Sequence, residues 1–204
     1  TVPFKSDVIP FLDTLTEESK ITKSVNTIYI HDKKLVGHNT DIKGFELSLR
    51  ETQFNLQNKT IFILGAGGVV PSIIYALEKL GVSKITVSNR TKQKAVDLKK
   101  IFSNINVVDW GDQPGFDMII NATSLGLNKE DKIDLNFNNI NKEKFFYDVI
   151  YNPKKTNFLK TGKNLGCKVS NGKMMFIYQA FEAFRLWHKV QPKINEDLMT
   201  FLDS

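Results

Sequence analysis

Two short runs rich in apolar and β-branched positions, residues 24–30 and 34–38, stand on either side of the polar stretch His31-Asp32-Lys33. That spacing predicts a β-hairpin. Ahead of it, residues 1–5 read as the interior of a strand, and residues 6–19 suit a helix broken at Pro10. Behind it, Asp41 is a candidate N-cap for a helix reaching about Thr52, with Phe45 and Leu49 one turn apart on its apolar side. From Thr60 the spacing changes. Short apolar runs at 60–64, 84–88, 106–109, 116–121, 145–150 and 167–170 read as strands. Helical segments are expected at 68–80, closed by Gly81, and at 92–102. Strands separated by helices predict a parallel sheet with right-handed crossovers, covered on both faces. An amphipathic helix at 174–187 and a short one at 195–202 close the chain, and residues 136–141 form an asparagine-rich loop.

The fold class expected is α/β: a Rossmann-like parallel-sheet domain at 43–170 beside a smaller, truncated α/β substrate domain at 1–42. The helices of 171–204 are expected to return to that smaller domain. A length of 204 residues with 41% hydrophobic content is enough for a real core. No apolar run of about 18 residues is present, and no signal-peptide pattern, so no membrane is expected. Cys167 stands alone, cannot form an internal disulfide and reads as a small strand residue rather than a nucleophile, so a cytoplasmic setting is expected. The net charge of +6 comes from lysines scattered along the chain, which favours a solvated surface over a dedicated anion field. No basic run is interleaved with aromatics, so nucleic acid is not an expected partner. No metal site is expected, and the chain is expected to be a monomer or homodimer.

Chemistry enters with Gly65-Ala66-Gly67-Gly68, directly behind the strand 60–64 and ahead of a helix. Glycines there let the backbone approach a pyrophosphate, and the helix N-terminus adds free N–H groups and a positive dipole end. The third glycine of the usual fingerprint is absent: Val70 takes the close helix–strand contact, and Pro71 follows in the first turn, where no N–H is needed. Asn89-Arg90-Thr91 begins 24 residues after Gly65, close to the roughly 20 expected for the ribose-binding position. An acidic residue there would repel a 2′-phosphate, whereas an arginine fork pairs with it. NADP is therefore the expected cofactor. Asn121-Ala122-Thr123-Ser124 follows another strand and is expected to face the same crevice. Lys5 and Asp41 suit a ketone reduction, in which an ammonium stabilises and protonates a developing alkoxide. From spacing alone, Lys5 reads first as a surface lysine, and Asp41 reads equally as a helix cap.

The ordered set Pro3-Phe4-Lys5, Val25-Asn26-Thr27, Asn39-Thr40-Asp41, Gly65-Ala66-Gly67-Gly68, Asn89-Arg90-Thr91, Asn121-Ala122-Thr123-Ser124, Tyr147-Asp148 through Pro153, and Asn171-Gly172 through Gln179 spans essentially the whole chain. It resembles the shikimate dehydrogenase family. The resemblance implies NADPH-dependent reduction of 3-dehydroshikimate to shikimate in aromatic amino-acid biosynthesis, with the site in a cleft between two α/β domains. It makes Lys5 the catalytic lysine and Asp41 its carboxylate partner. Thr1, Asn26, Tyr151 and Gln179 would bind the substrate hydroxyls. Gly65, Ala66, Gly67 and Gly68 would cradle the pyrophosphate, and Asn89, Arg90 and Thr91 would meet the adenosine ribose and its 2′-phosphate. Thr123, Val149, Gly172 and Met175 would line the cofactor, the last three towards the nicotinamide.

Some positions depart from the family pattern. Its usual Asp-Gly-Leu-Gly-Met-Leu stands here as Asn171-Gly172-Lys173-Met174-Met175-Phe176, and Ile42 replaces a glycine. The family usually carries roughly 60 residues ahead of this point, about one small half-unit, including two serines that hold the substrate carboxylate. Without them the hairpin is expected to expose apolar surface and an unpaired edge, and the chain to keep its cofactor site while losing most activity. The rival readings are a quinate/shikimate dehydrogenase, which Asn89-Arg90 disfavours, and a non-catalytic NADP-binding module. Glutamyl-tRNA reductase fails, since it needs a cysteine early in the chain and none precedes Cys167.

Overall fold

The computed structural model describes residues 3–137 and 140–202. Residues 3–8 run through turns, not the expected strand, and a 3-10 turn occupies Ile9–Phe11. Then come strand β1 (Thr14–Leu15), helix α1 (Glu17–Thr22), the hairpin β2 (Thr27–His31) and β3 (Lys34–His38), and helix α2 (Thr40–Glu51). The helix expected over 6–19 does not form. Pro10 cannot donate to a helical ladder, and the backbone after it is drawn onto β3: the Asp13 amide donates to Leu35 O at 3.0 Å and Thr16 N to Gly37 O at 2.9 Å. The result is a three-stranded sheet in the order β1-β3-β2, with β1 parallel and β2 antiparallel to β3. The cap of α2 is Asn39, whose side chain accepts from Asp41 N; Asp41 itself lies in the first turn.

The second sheet begins with β4 (Thr60–Leu64), followed by α3 (Val70–Lys79), β5 (Lys84–Ser88), α4 (Lys92–Leu98), β6 (Asn106–Val108), β7 (Met118–Asn121), β8 (Phe145–Asp148), α5 (Asn157–Asn164) and β9 (Lys168–Ser170). Helices α6 (Lys173–His188) and α7 (Glu196–Phe201) complete the described chain. All six strands pair in parallel, in the order β6-β5-β4-β7-β8-β9. The chain leaves β4 in one direction to β5 and β6, then returns to the other side for β7, β8 and β9. That reversal opens a crevice at the carboxyl ends of β4 and β7.

Strand alternation sorts the core into two faces. Ile61, Ile63, Val87, Ile120 and Tyr147 pack with Phe45, Leu49, Ile73 and Leu77 on one side. Phe62, Leu64, Ile119 and Phe146 pack with Phe116, Phe158 and Leu159 on the other. Each fully buried side chain of this size contributes roughly 1.5–3 kcal/mol. Exposed ion pairs such as Arg50–Glu46 contribute about 0–1 kcal/mol each, so the two apolar layers hold the fold. Helix α5 lies close against β8 because residue 162 is glycine; a Cβ there would come within 2.6 Å of the Phe146 ring. Helices α2 and α6 meet at Gly44, where a Cβ would lie 2.8 Å from Met175 O and 2.9 Å from Gln179 N. At the far end of α6, Trp187 Nε1 donates to Ile28 O on β2 at 2.8 Å.

Candidate active site

The glycine turn after β4 sits where the sheet order reverses. Gly65 has φ +112°, and a Cβ on it would come within 2.6 Å of Ala122 O, so only glycine lets this turn pass beside the β7 loop. Around Gly67 and Gly68 the situation is opposite: a Cβ at either would meet nothing within 4 Å. That open backbone faces the start of α3, whose first N–H groups carry no side-chain cap. Asn89 ties this turn to the next loop, accepting from Ala66 N at 3.0 Å and donating to Thr91 O at 2.8 Å.

A cleft of about 240 Å³ is lined by Gly65, Ala66, Gly67, Asn89, Arg90 and Thr91 on one side. Thr123, Ser124 and Leu125 from the β7 loop line the other. Two further lining residues, Lys94 and Trp110, escaped the sequence reading. Lys94 lies in the first turn of α4, where its position three residues after Thr91 was a usable signal. Trp110 arrives from the carboxyl end of β6, and no spacing in the sequence announces that. None of the residues lining this cleft is acidic. An anion with a flat apolar group fits such a wall: two cations, open backbone, and one aromatic ring.

Val149 and Gly172 meet just beyond the carboxyl end of β8 and are not among the residues lining this cleft. A Cβ on Gly172 would lie 2.0 Å from Val149 O, and the Gly172 amide donates to Ile150 O at 3.1 Å. Met175, one turn into α6, is buried in the same core against which Val149 packs.

A polar cluster stands at the N-terminus of α2. Lys5 Nζ forms an ion pair with Asp41 Oδ2, both side chains being about nine-tenths buried. The other carboxylate oxygen of Asp41 accepts from Asn26 Nδ2 at 2.9 Å. Asn26 is fixed in turn, since its Oδ1 accepts from Thr40 N at 2.9 Å and from the Thr40 and Thr27 hydroxyls at 3.1 Å. The carboxylate in the first turn of α2 is further stabilised by the helix dipole. Lys5 is anchored by its own backbone, with Val25 N donating to Lys5 O at 2.8 Å. An oriented ammonium held by an oriented carboxylate can protonate an oxygen that is gaining charge.

Gln179 reaches this region through Gly44 on α2, and its Nε2 donates to Phe176 O at 3.0 Å. Tyr151 is exposed and its ring stacks on Phe176, with centroids 4.6 Å apart. Among the described residues neither side chain hydrogen-bonds to Lys5 or Asp41. Thr1 lies outside the described residues. One more group, quoted in the sequence only as part of a motif and given no role there, is Asp148, fully buried at the end of β8, whose carboxyl burial pushes up to about 6 against three hydrogen bonds that lower it.

The family model for shikimate / quinate 5-dehydrogenase matches residues 46–149. The shikimate dehydrogenase (NADP(+)) of Pelagibacter ubique (strain HTCC1062) is 58% identical over 203 residues, covering 100% of this chain and 77% of that protein. This chain belongs to the shikimate/quinate dehydrogenase family. Solved members of the family have the same architecture. The shikimate dehydrogenase of Aquifex aeolicus superposes with a TM-score of 0.86 at 38% identity, over 95% of this chain and 72% of that one. Quinate dehydrogenase from Corynebacterium glutamicum, solved with NAD, superposes with a TM-score of 0.91 at 31% identity, over 100% and 76%. No described helix is long and apolar enough to cross a membrane. Among the described residues no group of three His, Cys, Asp or Glu side chains could hold a metal ion.

Proposed function

We infer that this chain catalyses the NADPH-dependent reduction of 3-dehydroshikimate to shikimate. The observation that carries the reading is the Lys5–Asp41–Asn26 cluster in a chain whose nucleotide cleft is lined by Arg90 and Lys94 and by no carboxylate. The cleft suits NADPH, because Gly67 and Gly68 leave their backbone open to a pyrophosphate and two cations stand where a 2′-phosphate would lie.

When bound, NADPH supplies the hydride that reaches the ketone carbon. Lys5 gives its proton to the carbonyl oxygen as charge develops there, so that C=O becomes CH–OH, and the amine is reprotonated from water. Asp41 keeps the ammonium aimed, and Asn26 keeps Asp41 in place. Asn26, Tyr151, Gln179 and Thr1 are assigned to the substrate hydroxyls. Arg90, Asn89 and Thr91 take the adenosine ribose and its phosphate; Thr123, Val149, Gly172 and Met175 flank the cofactor. We assign residues 1–42 together with 171–204 to the substrate side, which the Trp187 contact to β2 supports, and 43–170 to the cofactor side. A cytoplasmic monomer or homodimer fits this reading.

The test is NADP⁺ reduction with shikimate, followed by NADPH absorbance in the whole gene product containing this chain, with quinate and NAD⁺ in parallel. Turnover is expected with shikimate and NADP⁺. Lys5→Ala should lower kcat by about 100-fold or more, the scale of general acid catalysis, with NADPH affinity nearly unchanged. NADPH binding without turnover would make the chain a binding module and remove Lys5 and Asp41 from any mechanism.

A further inference from the structure

The ion pair of Lys5 leaves one buried carboxyl without an assigned task. Asp148 closes β8, is completely inaccessible to solvent, and has no cationic partner among the described residues. Its three donors come from two segments, the end of β7 and the loop from β8 to α5. Asn121 Nδ2, at the end of β7, donates to Oδ1 at 3.0 Å, and Ile150 N donates to the same oxygen at 3.0 Å. The Thr156 hydroxyl donates to Oδ2 at 2.6 Å.

Each donor leads on to a loop. Asn121 Oδ1 accepts from Thr123 N at 3.1 Å and from the Thr123 hydroxyl at 2.7 Å, and its Nδ2 also donates to Leu125 O at 2.9 Å. Ile150 lies between Val149 and Tyr151 in the chain. Thr156 caps α5 by accepting from Leu159 N, which ends the loop that carries Tyr151. An unpaired buried carboxylate is unfavourable for folding, and packing two loops together does not require one. What a carboxylate alone offers is an acceptor for all three donors at once.

We propose that Asp148 is a positioning residue, a clasp that sets the gap between the β7 loop bearing Thr123 and the β8 loop bearing Val149 and Tyr151. This rests on the functional reading above, in which those loops hold the nicotinamide and the substrate. Through Asn121 it fixes one wall of the cofactor cleft; through Ile150 and Thr156 it fixes the other. An asparagine at 148 can keep two of the donors on its oxygen, but its NH₂ then faces the Thr156 hydroxyl.

The experiment compares the wild-type protein with Asp148→Asn, Thr156→Val, Thr156→Ser and the Asp148→Asn/Thr156→Val double variant. Asp148→Asn and Thr156→Val should each lower kcat by about tenfold or more, one decade per ~1.4 kcal/mol of barrier. NADPH affinity, which the functional reading sets mainly at the adenosine end, should change less than about twofold. Thr156→Ser, which keeps the hydroxyl, should restore kcat, and the double variant should be no worse than the worse single one. Fluorescence emission of bound NADPH is read alongside. A shifted nicotinamide emission at unchanged affinity supports the clasp even if shikimate is not turned over, a result that would sink the functional reading alone. Unchanged kcat and emission in Asp148→Asn would overturn the proposal. So would equal losses of kcat and NADPH affinity that follow the melting temperature, which mark a purely structural residue.

Discussion

Arg90 stands at the carboxyl end of β5 with Lys94 one turn away on α4, and no carboxylate lines the cleft they share. A guanidinium presents a planar fork to a phosphate, and each charge-assisted hydrogen bond contributes about 1.5–3 kcal/mol. Arg90→Ala should therefore raise KM for NADP⁺ by about tenfold to a hundredfold, and Lys94 should keep the loss toward the lower end. NAD⁺ has no 2′-phosphate, so its kcat/KM should hardly move. Steady-state kinetics with both cofactors decide the matter: if NADP⁺ and NAD⁺ lose equally, Arg90 does not read the phosphate.

Glycines in the elements around the site do two different jobs, and their space requirements separate them. Gly172 joins the start of α6 to the β8 loop, and a methyl group there would lie 2.0 Å from Val149 O. Gly67 faces open space and its φ is not positive. Gly172→Ala should lower the unfolding free energy by about 1–3 kcal/mol, as overpacking does, and lower the melting temperature with it. Gly67→Ala should stay within about 0.5 kcal/mol of the wild type while weakening NADPH binding, because its methyl group projects where the pyrophosphate approaches. Thermal melts and NADPH titrations on the two variants should show opposite patterns; a stability loss in Gly67→Ala would mean that the open turn is packed after all. Strands β4 and β5 were legible in the sequence to the residue, since five apolar or β-branched positions in β4 and three consecutive ones in β5, each bounded by turn residues, leave little choice. Helix α5 was not: Gly162 and a run of polar residues disguise it, and the reason for the glycine lies across the sheet, at Phe146. Lys5 and Asp41 are 36 residues apart, so their pairing was visible only through family resemblance. Asp148 was quoted within a motif but given no role, because neither its burial nor its bond to Asn121, 27 residues away, shows in the sequence.

Across the whole molecule, half-buried His38 and buried Asp148 pull stability in opposite directions with pH. Burial lowers the pKa of His38 below its ordinary 6.5. Its contribution is present above that value and is lost as pH falls through its depressed folded value. Burial raises Asp148 from 3.8 to about 6. The folded protein then holds a proton that the unfolded chain has released, so the Asp148 contribution is full below 3.8 and disappears as pH rises through about 6. A plain melting curve against pH mixes the two. The difference between wild type and Asp148→Asn removes His38, which is common to both. That difference in melting temperature should favour the wild type most near pH 4, shrink as pH rises to about 6, and stay level above it. A difference that stays flat from pH 4 to 7 would mean that Asp148 does not titrate in this window. The clasp would then hold its charge throughout, and its hydrogen bonds from Asn121, Ile150 and Thr156 would outweigh burial. The expected slope instead makes the clasp a charge kept at neutral pH against the preference of the fold, which is the signature of a group retained for the site it serves.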